Sequence, residues 1–431
     1  MSEITSFGKK ITLENSIILL VFLFTSFFLL LQKPIYSPDT FSYLRADITR
    51  FPGYIIYLRS LQVVFKDTFD IVAVAGHLLL GFFSVLQILK TFVKIFNLTK
   101  IAAIVLLAVL LFPYFPPLSI ALNLTSEGLA YPFYLLTIAF SLKLIFQDSI
   151  KSLFWLCLAY LLLSLTRGQF IIIAPVIISI YFLKKRKAIR AKKHLLSLAI
   201  LFVLPFFNIL IEKTYRKIFY GFFNSPPYTF INAVTLPLYI SNTSDTVYFK
   251  KKDEKDIFIM SYRHMDSLGL VSTKVRGTNS QKYLAFHKNF PKICNQNIYE
   301  KGITYYQGNG EKSSINVFKT EATCKKLFGV LIMHNFKDWV SLYLAGIIYG
   351  FKGIIPLILT ILLFIISFGK CYKGFSSLWG IILLSTLLIL SNAFIVAIVS
   401  HSIMRYLFYN YFLGVLILIL FLKKIKPLAK P

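Results

Sequence analysis

The sequence predicts an all-α polytopic membrane protein of about ten transmembrane helices, with a polar first outer loop and a small extracytoplasmic domain set among them. Three observations predict it. The chain of 431 residues is 57% hydrophobic, with a mean hydropathy of +0.70, which a soluble protein of this length does not reach. Many apolar runs reach or approach the roughly 20 residues that a helix needs to cross a bilayer. The short loops between those runs carry much of the basic excess, as the positive-inside rule expects.

The runs follow in order. Lys9-Lys10 precede the first, at 13–31, and Gln32-Lys33-Pro34 follow it with no small-residue cleavage site, so it reads as a retained anchor. A loop at 32–67 leads to the second run, 69–89, then Lys90, Lys94 and Lys100. The third, 101–118, ends in Phe112-Pro-Tyr-Phe-Pro-Pro117, and Asn123-Leu-Thr-Ser-Glu127 opens the fourth, 128–146. The fifth and sixth, 152–166 and 169–183, form a hairpin at Thr166-Arg-Gly-Gln169. The most basic loop, 184–194, precedes the seventh run, 195–211. Residues 212–335 are polar and long enough for a small domain, and 336–350 read as a surface helix. The last three runs are 353–368, 377–399 and 407–422, the final two joined by His401-Ser-Ile-Met-Arg-Tyr406. The chain thus divides into an N-terminal membrane module 1–211, an extracytoplasmic domain 212–335 and a C-terminal membrane module 336–431.

Placing Lys9-Lys10 in the cytoplasm and alternating puts the loops 90–100, 147–151, 184–194 and 369–374 and the tail inside. The Asp39 loop, the Glu127 turn, the Arg167 hairpin, the domain and the His401–Arg405 turn then all fall outside. Charges at membrane depth are costly and usually mark a substrate or ion path, so their collection on one face points to a site. The net charge of +29 does not indicate nucleic acid. What is not in short loops lies in the polar region, where it can meet anionic lipid or a phosphorylated substrate. Cys294 and Cys324 share that region and are free to pair if it lies outside the cytoplasm; no cysteine spacing fits zinc. No phosphate-cradling Gly loop, metal-spaced His cluster or inverted repeat is present.

Within the first outer loop, Ser37 suits a helix N-cap, Pro38 the first turn, and Asp39 the positive end of the helix dipole. Phe41, Leu44, Ile48 and Phe51 share one face, so this helix is expected to lie along the membrane and to break at Pro52-Gly53. Asp39 is the candidate general base. Asp47, two helical turns on and roughly 12 Å away, has Arg45 or Arg50 in reach for a surface ion pair. Glu127 either caps its helix or belongs to the site. Arg167 either snorkels to lipid phosphate or binds substrate. His401 lies one turn before Arg405, and an Arg–His pair at a bilayer edge suits a phosphate. His77 reads as a buried, hydrogen-bonded side chain.

These motifs resemble the GT-C superfamily of membrane glycosyltransferases, which use polyprenyl-phosphate-linked sugars. Protein O-mannosyltransferases and the lipid A aminoarabinose transferases are members. The residues that carry the resemblance are Pro38-Asp-Thr-Phe-Ser-Tyr43 with Phe51-Pro-Gly-Tyr54, Thr125-Ser-Glu127, Thr166-Arg-Gly-Gln169, Met333-His-Asn-Phe-Lys-Asp-Trp339 and Arg405-Tyr406. Many relatives carry two adjacent acids in the first loop where this chain has Asp39 alone, which leaves the use of a divalent metal open. The resemblance implies a multi-pass enzyme of the plasma or inner membrane, acting on the extracytoplasmic side in cell-surface glycan assembly. Asp39 would deprotonate the acceptor hydroxyl, Glu127 would orient the acceptor or the base, and Arg167, Arg405 and His401 would hold the donor phosphate. Tyr43, Asp47, Tyr54 and Tyr406 would contact substrate, and Tyr228, Tyr239 and Lys250–Lys252 of the domain would help bind the acceptor. The expected partners are the lipid-linked donor, a glycan, lipid or protein acceptor, and membrane lipid, with no nucleic acid. Three rivals stay open: a glycan polymerase or ligase, a membrane acyltransferase, and a lipid or sugar transporter.

Overall fold

The structure is a computed structural model and describes residues 13–308 and 313–425. Lys9-Lys10 and the end of the basic tail, on which the sequence-based orientation leans, lie outside the described residues. In chain order the helices are α1 Leu13–Leu30, α2 Pro38–Leu44, α3 Pro52–Phe65, α4 Phe69–Phe96, α5 Lys100–Leu111, α6 Glu127–Phe146, α7 Lys151–Thr166, α8 Ile173–Lys185 and α9 Lys192–Tyr220. A polar set follows: α10 Thr229–Ala233, α11 Thr235–Ile240, α12 Lys252–Ser267, α13 Asn279–Ile293, α14 Glu300–Gly308 and α15 Ser313–His334. The chain closes with α16 Phe336–Gly350, α17 Ile354–Lys373, α18 Ser377–Val399, α19 Met404–Leu407 and α20 Tyr411–Ile425. No strand occurs among the described residues.

Seven stretches among the described residues are long and apolar enough to cross a membrane, the mark of a multi-pass α-helical membrane protein. Three expected runs fold as shorter apolar helices, Ile17–Leu30, Lys100–Tyr114 and Lys151–Thr166. The third run stops early because Pro113, Pro116 and Pro117 cannot continue a helix. α6 is the central helix, with 78% of its apolar window buried, whereas α17 is peripheral at 17%. Gly128 permits this centre: a Cβ there would stand 2.5 Å from the His77 ring of α4. His77 is fully buried as expected, with Nδ1 2.9 Å from the Ala121 carbonyl and Nε2 3.4 Å from the Tyr54 hydroxyl.

Other boundaries also differ from the sequence reading. Residues 52–65 of the expected outer loop are helical. α3 folds back on α4 through a turn at Lys66, where φ is +47°, and the Tyr57 hydroxyl donates to the Ala73 carbonyl at 2.8 Å. Position 212 is not a domain start, because α9 continues to Tyr220. Nor does the polar domain end at 335: its separate core, built on Phe258, Phe286 and Leu327, also takes Leu342 and Ala345 of α16. Cys294 and Cys324 are buried free thiols rather than a disulfide. Cys294 lies 3.2 Å from Asn232 Oδ1, to which its thiol donates.

The five basic loops meet at one end of the bundle. Lys184 and Lys185 reach Asp148 at 3.4 and 2.5 Å. Arg186 stacks over Tyr372 at 5.0 Å, and Lys423 donates to the Phe96 and Asn97 carbonyls at 2.8 Å each. The polar domain lies at the other end, against the 400–406 turn, where the Ser402 N–H donates to the Tyr283 hydroxyl at 2.9 Å.

Candidate active site

Asp39, Glu127, Arg167 and Arg405, far apart in sequence, converge at the domain end. Pairing of backbone brings the first two together: the Ile35 N–H donates to the Leu122 carbonyl at 2.8 Å, and the Leu124 N–H returns to the Ile35 carbonyl at 3.1 Å. The loop after α1 is thereby stitched to the loop before α6. Ser37 caps α2 as the sequence predicts, with Pro38 in its first turn.

α2 is much shorter than expected. It stops at Leu44 because Ala46 adopts a left-handed conformation, φ +51°, and closes the helix with two reverse hydrogen bonds, Ala46 N–H to the Tyr43 carbonyl at 3.0 Å and Asp47 N–H to the Ser42 carbonyl at 2.8 Å. Alanine in this conformation is strained, so the surroundings must hold it. Tyr220 donates to the Ala46 carbonyl at 2.6 Å. Arg216, wholly buried in α9, donates to the Ile48 and Arg50 carbonyls at 3.4 and 2.7 Å and lies 3.3 Å from Glu212. The reversal sends Arg50 back over α2, so Asp39 and not Asp47 receives it.

Asp47 is therefore no ion-pair partner of Arg50. Its Oδ1 accepts from the Thr49 N–H and hydroxyl at 2.9 and 2.6 Å, fixing the turn. Asp39 Oδ1 meets Arg50 Nη2 at 2.5 Å, and its Oδ2 meets Arg405 Nη1 at 2.8 Å. Glu127 is gripped by Arg405 through two parallel contacts, Nε to Oε1 and Nη2 to Oε2, the latter at 3.0 Å. Arg167 donates to the same Glu127 oxygen and to Ser126 Oγ at 3.3 Å. Three guanidiniums thus share two carboxylates, leaving one positive charge in excess.

Aromatic rings hold two of the arginines in plane. Arg50 lies 5.1 Å over Tyr43 and Arg167 5.2 Å over Tyr406. Gly53 lets α3 press against the end of α7 beside Arg167: a Cβ there would meet Thr166 Oγ1 at 2.7 Å and the Leu165 carbonyl at 2.9 Å. Burial alone would raise the Asp39 carboxyl, but Arg50 and then Arg405 outweigh it and hold it below the usual carboxylate range.

A cavity of about 450 Å³ opens over this cluster. Asp39, Tyr43, Arg50, Arg167, Arg405 and Tyr406 line it, as does Tyr228 from the segment leading into the domain. Glu127 lies behind the guanidiniums, 2% exposed, and does not line it. Tyr54 is wholly buried, edge-on to Tyr43, and makes no wall of the cavity. Tyr239 is in the domain core, its hydroxyl donating to the Lys282 carbonyl at 3.0 Å.

The structure does not bring His401 to the arginines. Residues before Met404 are extended, Ile403 at φ −108° and ψ 155°, so the helical turn that would align His401 with Arg405 is missing. His401 packs instead on Phe290 and His287 at ring separations of 4.1 and 4.9 Å. Burial, and next the neighbouring His287, push it down to about 3, so it stays neutral. A divalent metal does not fit the cluster either, since both carboxylates are engaged by guanidiniums that would repel a cation. Among the described residues no group of three or more His, Cys, Asp or Glu side chains is placed to hold one.

Sequence reasoning missed Arg50 as the partner of Asp39, and Asn208, Glu212 and Arg216 altogether. An arginine four residues after a glutamate in the last turns of an apolar run was the available signal. Comparison with family models, with curated proteins and with solved structures finds no match to this chain.

Proposed function

We propose that this chain is an integral membrane glycosyltransferase that moves a sugar from a polyprenyl-phosphate carrier to an acceptor hydroxyl. The domain end of the bundle is its extracytoplasmic face. The observation that carries the reading is the half-buried, net-positive cluster of Arg50, Arg167 and Arg405 with Asp39 and Glu127 at the floor of a cavity at the bundle end. A lipid phosphate arrives there at headgroup depth, and guanidiniums are the donors that match it in pairs.

Clasped by Arg50 and Arg405, Asp39 is a weak base. An incoming phosphate competes for Arg405, the most exposed of the three at 36%, and loosening that clasp makes Asp39 more basic. Asp39 then takes the proton of the acceptor hydroxyl as its oxygen attacks the anomeric carbon. The bond from that carbon to the phosphate oxygen breaks, and its electron pair leaves with the lipid phosphate. Arg167 and Arg405 stabilise the charge that develops. Attack opposite the leaving group inverts the anomeric centre. Glu127 touches no substrate; it holds Arg167 and Arg405 in register from behind.

The test is transfer of radiolabelled sugar from a polyprenyl-phosphate donor by the purified protein in nanodiscs, with envelope glycans, lipids and proteins offered as acceptors. Label should move with the wild type, and Asp39→Asn should lower the rate by about a thousandfold while the protein still melts cooperatively. A fully active Asp39→Asn protein removes Asp39 from the role, and absence of transfer by the wild type removes the reading.

A further inference from the structure

The same cavity has a second polar wall, which the reaction just described does not use. Asn208 and Glu212 lie four residues apart, so they share one face of α9, and both line the cavity. They are 2% and 4% exposed. Asn208 Oδ1 has no hydrogen-bond partner. Among the described residues Glu212 gives one carboxylate oxygen to a side chain, that of Arg216 at 3.3 Å. Both sit in a stretch apolar enough to cross a membrane. Unpaired polar groups at such depth are expensive and are kept where something passes or binds. The pairing with Arg216 accounts for half of Glu212 and for none of Asn208.

The chemistry of this wall differs from that of the floor. A phosphate is drawn to the guanidiniums and repelled by Glu212. An amide oxygen beside a carboxylate accepts hydrogen bonds, and the hydroxyl and amide groups of Tyr228, Thr229 and Asn232 extend the same lining on the domain side. Such a surface suits a neutral group with several hydroxyls. We propose that Asn208 and Glu212 form a hydroxyl-binding subsite that takes the sugar ring of the donor while the arginines take its phosphate. This rests on the glycosyltransferase reading above.

The experiment measures binding to the full-length protein in nanodiscs of bare polyprenyl phosphate and of polyprenyl-phosphate-linked glucose, galactose and mannose. At least one sugar-bearing lipid should bind about tenfold tighter than the bare lipid phosphate, the gain that a few hydroxyl contacts supply. Asn208→Leu should erase that gain and leave the affinity for the bare lipid phosphate within about twofold, and Asn208→Ala should do the same. A gain that survives both substitutions overturns the subsite, as does an equal loss for bare and sugar-bearing lipids. No gain for any sugar with the wild type also overturns it, while binding of the bare lipid phosphate leaves the functional reading standing. If the bare lipid phosphate does not bind either, both fall together.

Discussion

The two ends of the helix bundle both carry cations, and they treat them in opposite ways. At the basic end Lys184, Lys185 and Lys423 meet backbone carbonyls or Asp148, a carboxylate whose side chain is 56% exposed. At the domain end Arg50, Arg167 and Arg405 are locked to Asp39 and Glu127, and the Glu127 side chain is only 3% exposed. Exposed pairs contribute little because water already solvates both partners. Buried ones must be matched with care, since a partner left alone has nothing to replace its lost hydration. The difference teaches that charge at one end is a matter of placement along the chain, and at the other a matter of geometry.

Perturbing the two ends should therefore give unequal results. The largest effect on stability is expected at the domain end. Glu127→Gln leaves Arg167 without a carboxylate and Arg405 with Asp39 alone, and should cost about 3–5 kcal/mol, seen as a large drop in the thermal midpoint in detergent. A loss under about 1 kcal/mol would mean that the cluster is well solvated and the contrast is false.

Acid should act at the same end, on the neighbouring pairing of Asp39 with Arg50 and Arg405. The Asp39 carboxyl is held below its usual range in the folded protein by Arg50 and Arg405. A lowered folded value means that the contribution is complete above the unfolded value, about pH 4, and is lost as pH falls through the folded one. Thermal midpoints of the wild type should fall below about pH 4, and the difference between wild type and Asp39→Asn should narrow over that window. A difference that stays constant from pH 7 to pH 3 would contradict the pairing. The smallest effect is expected at the basic end, where Lys185→Gln should change stability by no more than about 0.5 kcal/mol; a loss as large as that of Glu127→Gln would erase the distinction between the ends.

The same contrast governs what was legible in the sequence. The basic loops are read from composition alone, and the structure gathers all five at one end. Asp39, Glu127, Arg167 and Arg405 were legible as charges that interrupt apolar runs, and the structure unites them. Sequence distance puts both Arg45 and Arg50 in reach of Asp47 and neither in reach of Asp39. The left-handed Ala46 reverses the chain there, and nothing in an alanine announces that conformation. His401 was aligned with Arg405 by assuming helical spacing through a turn that is in fact extended. Glu212 and Arg216 stay hidden because α9 continues to Tyr220, nine residues past the apolar run that marks it, and Asn208 because a single amide inside that run does not break its hydropathy. Pro113 shows the reverse: a proline inside an apolar run ended α5 where hydropathy alone extended it.

The proposed function requires that these two ends face opposite sides of the membrane, with the paired-charge end outward. Single cysteines at exposed positions of each end test it most directly, Ser280→Cys in the polar domain and Lys187→Cys in the basic loop, read with a membrane-impermeant maleimide on intact cells. Ser280→Cys should be labelled from outside and Lys187→Cys only after the cells are opened. Labelling in the reverse order, with Ser280→Cys protected until lysis, would contradict that orientation.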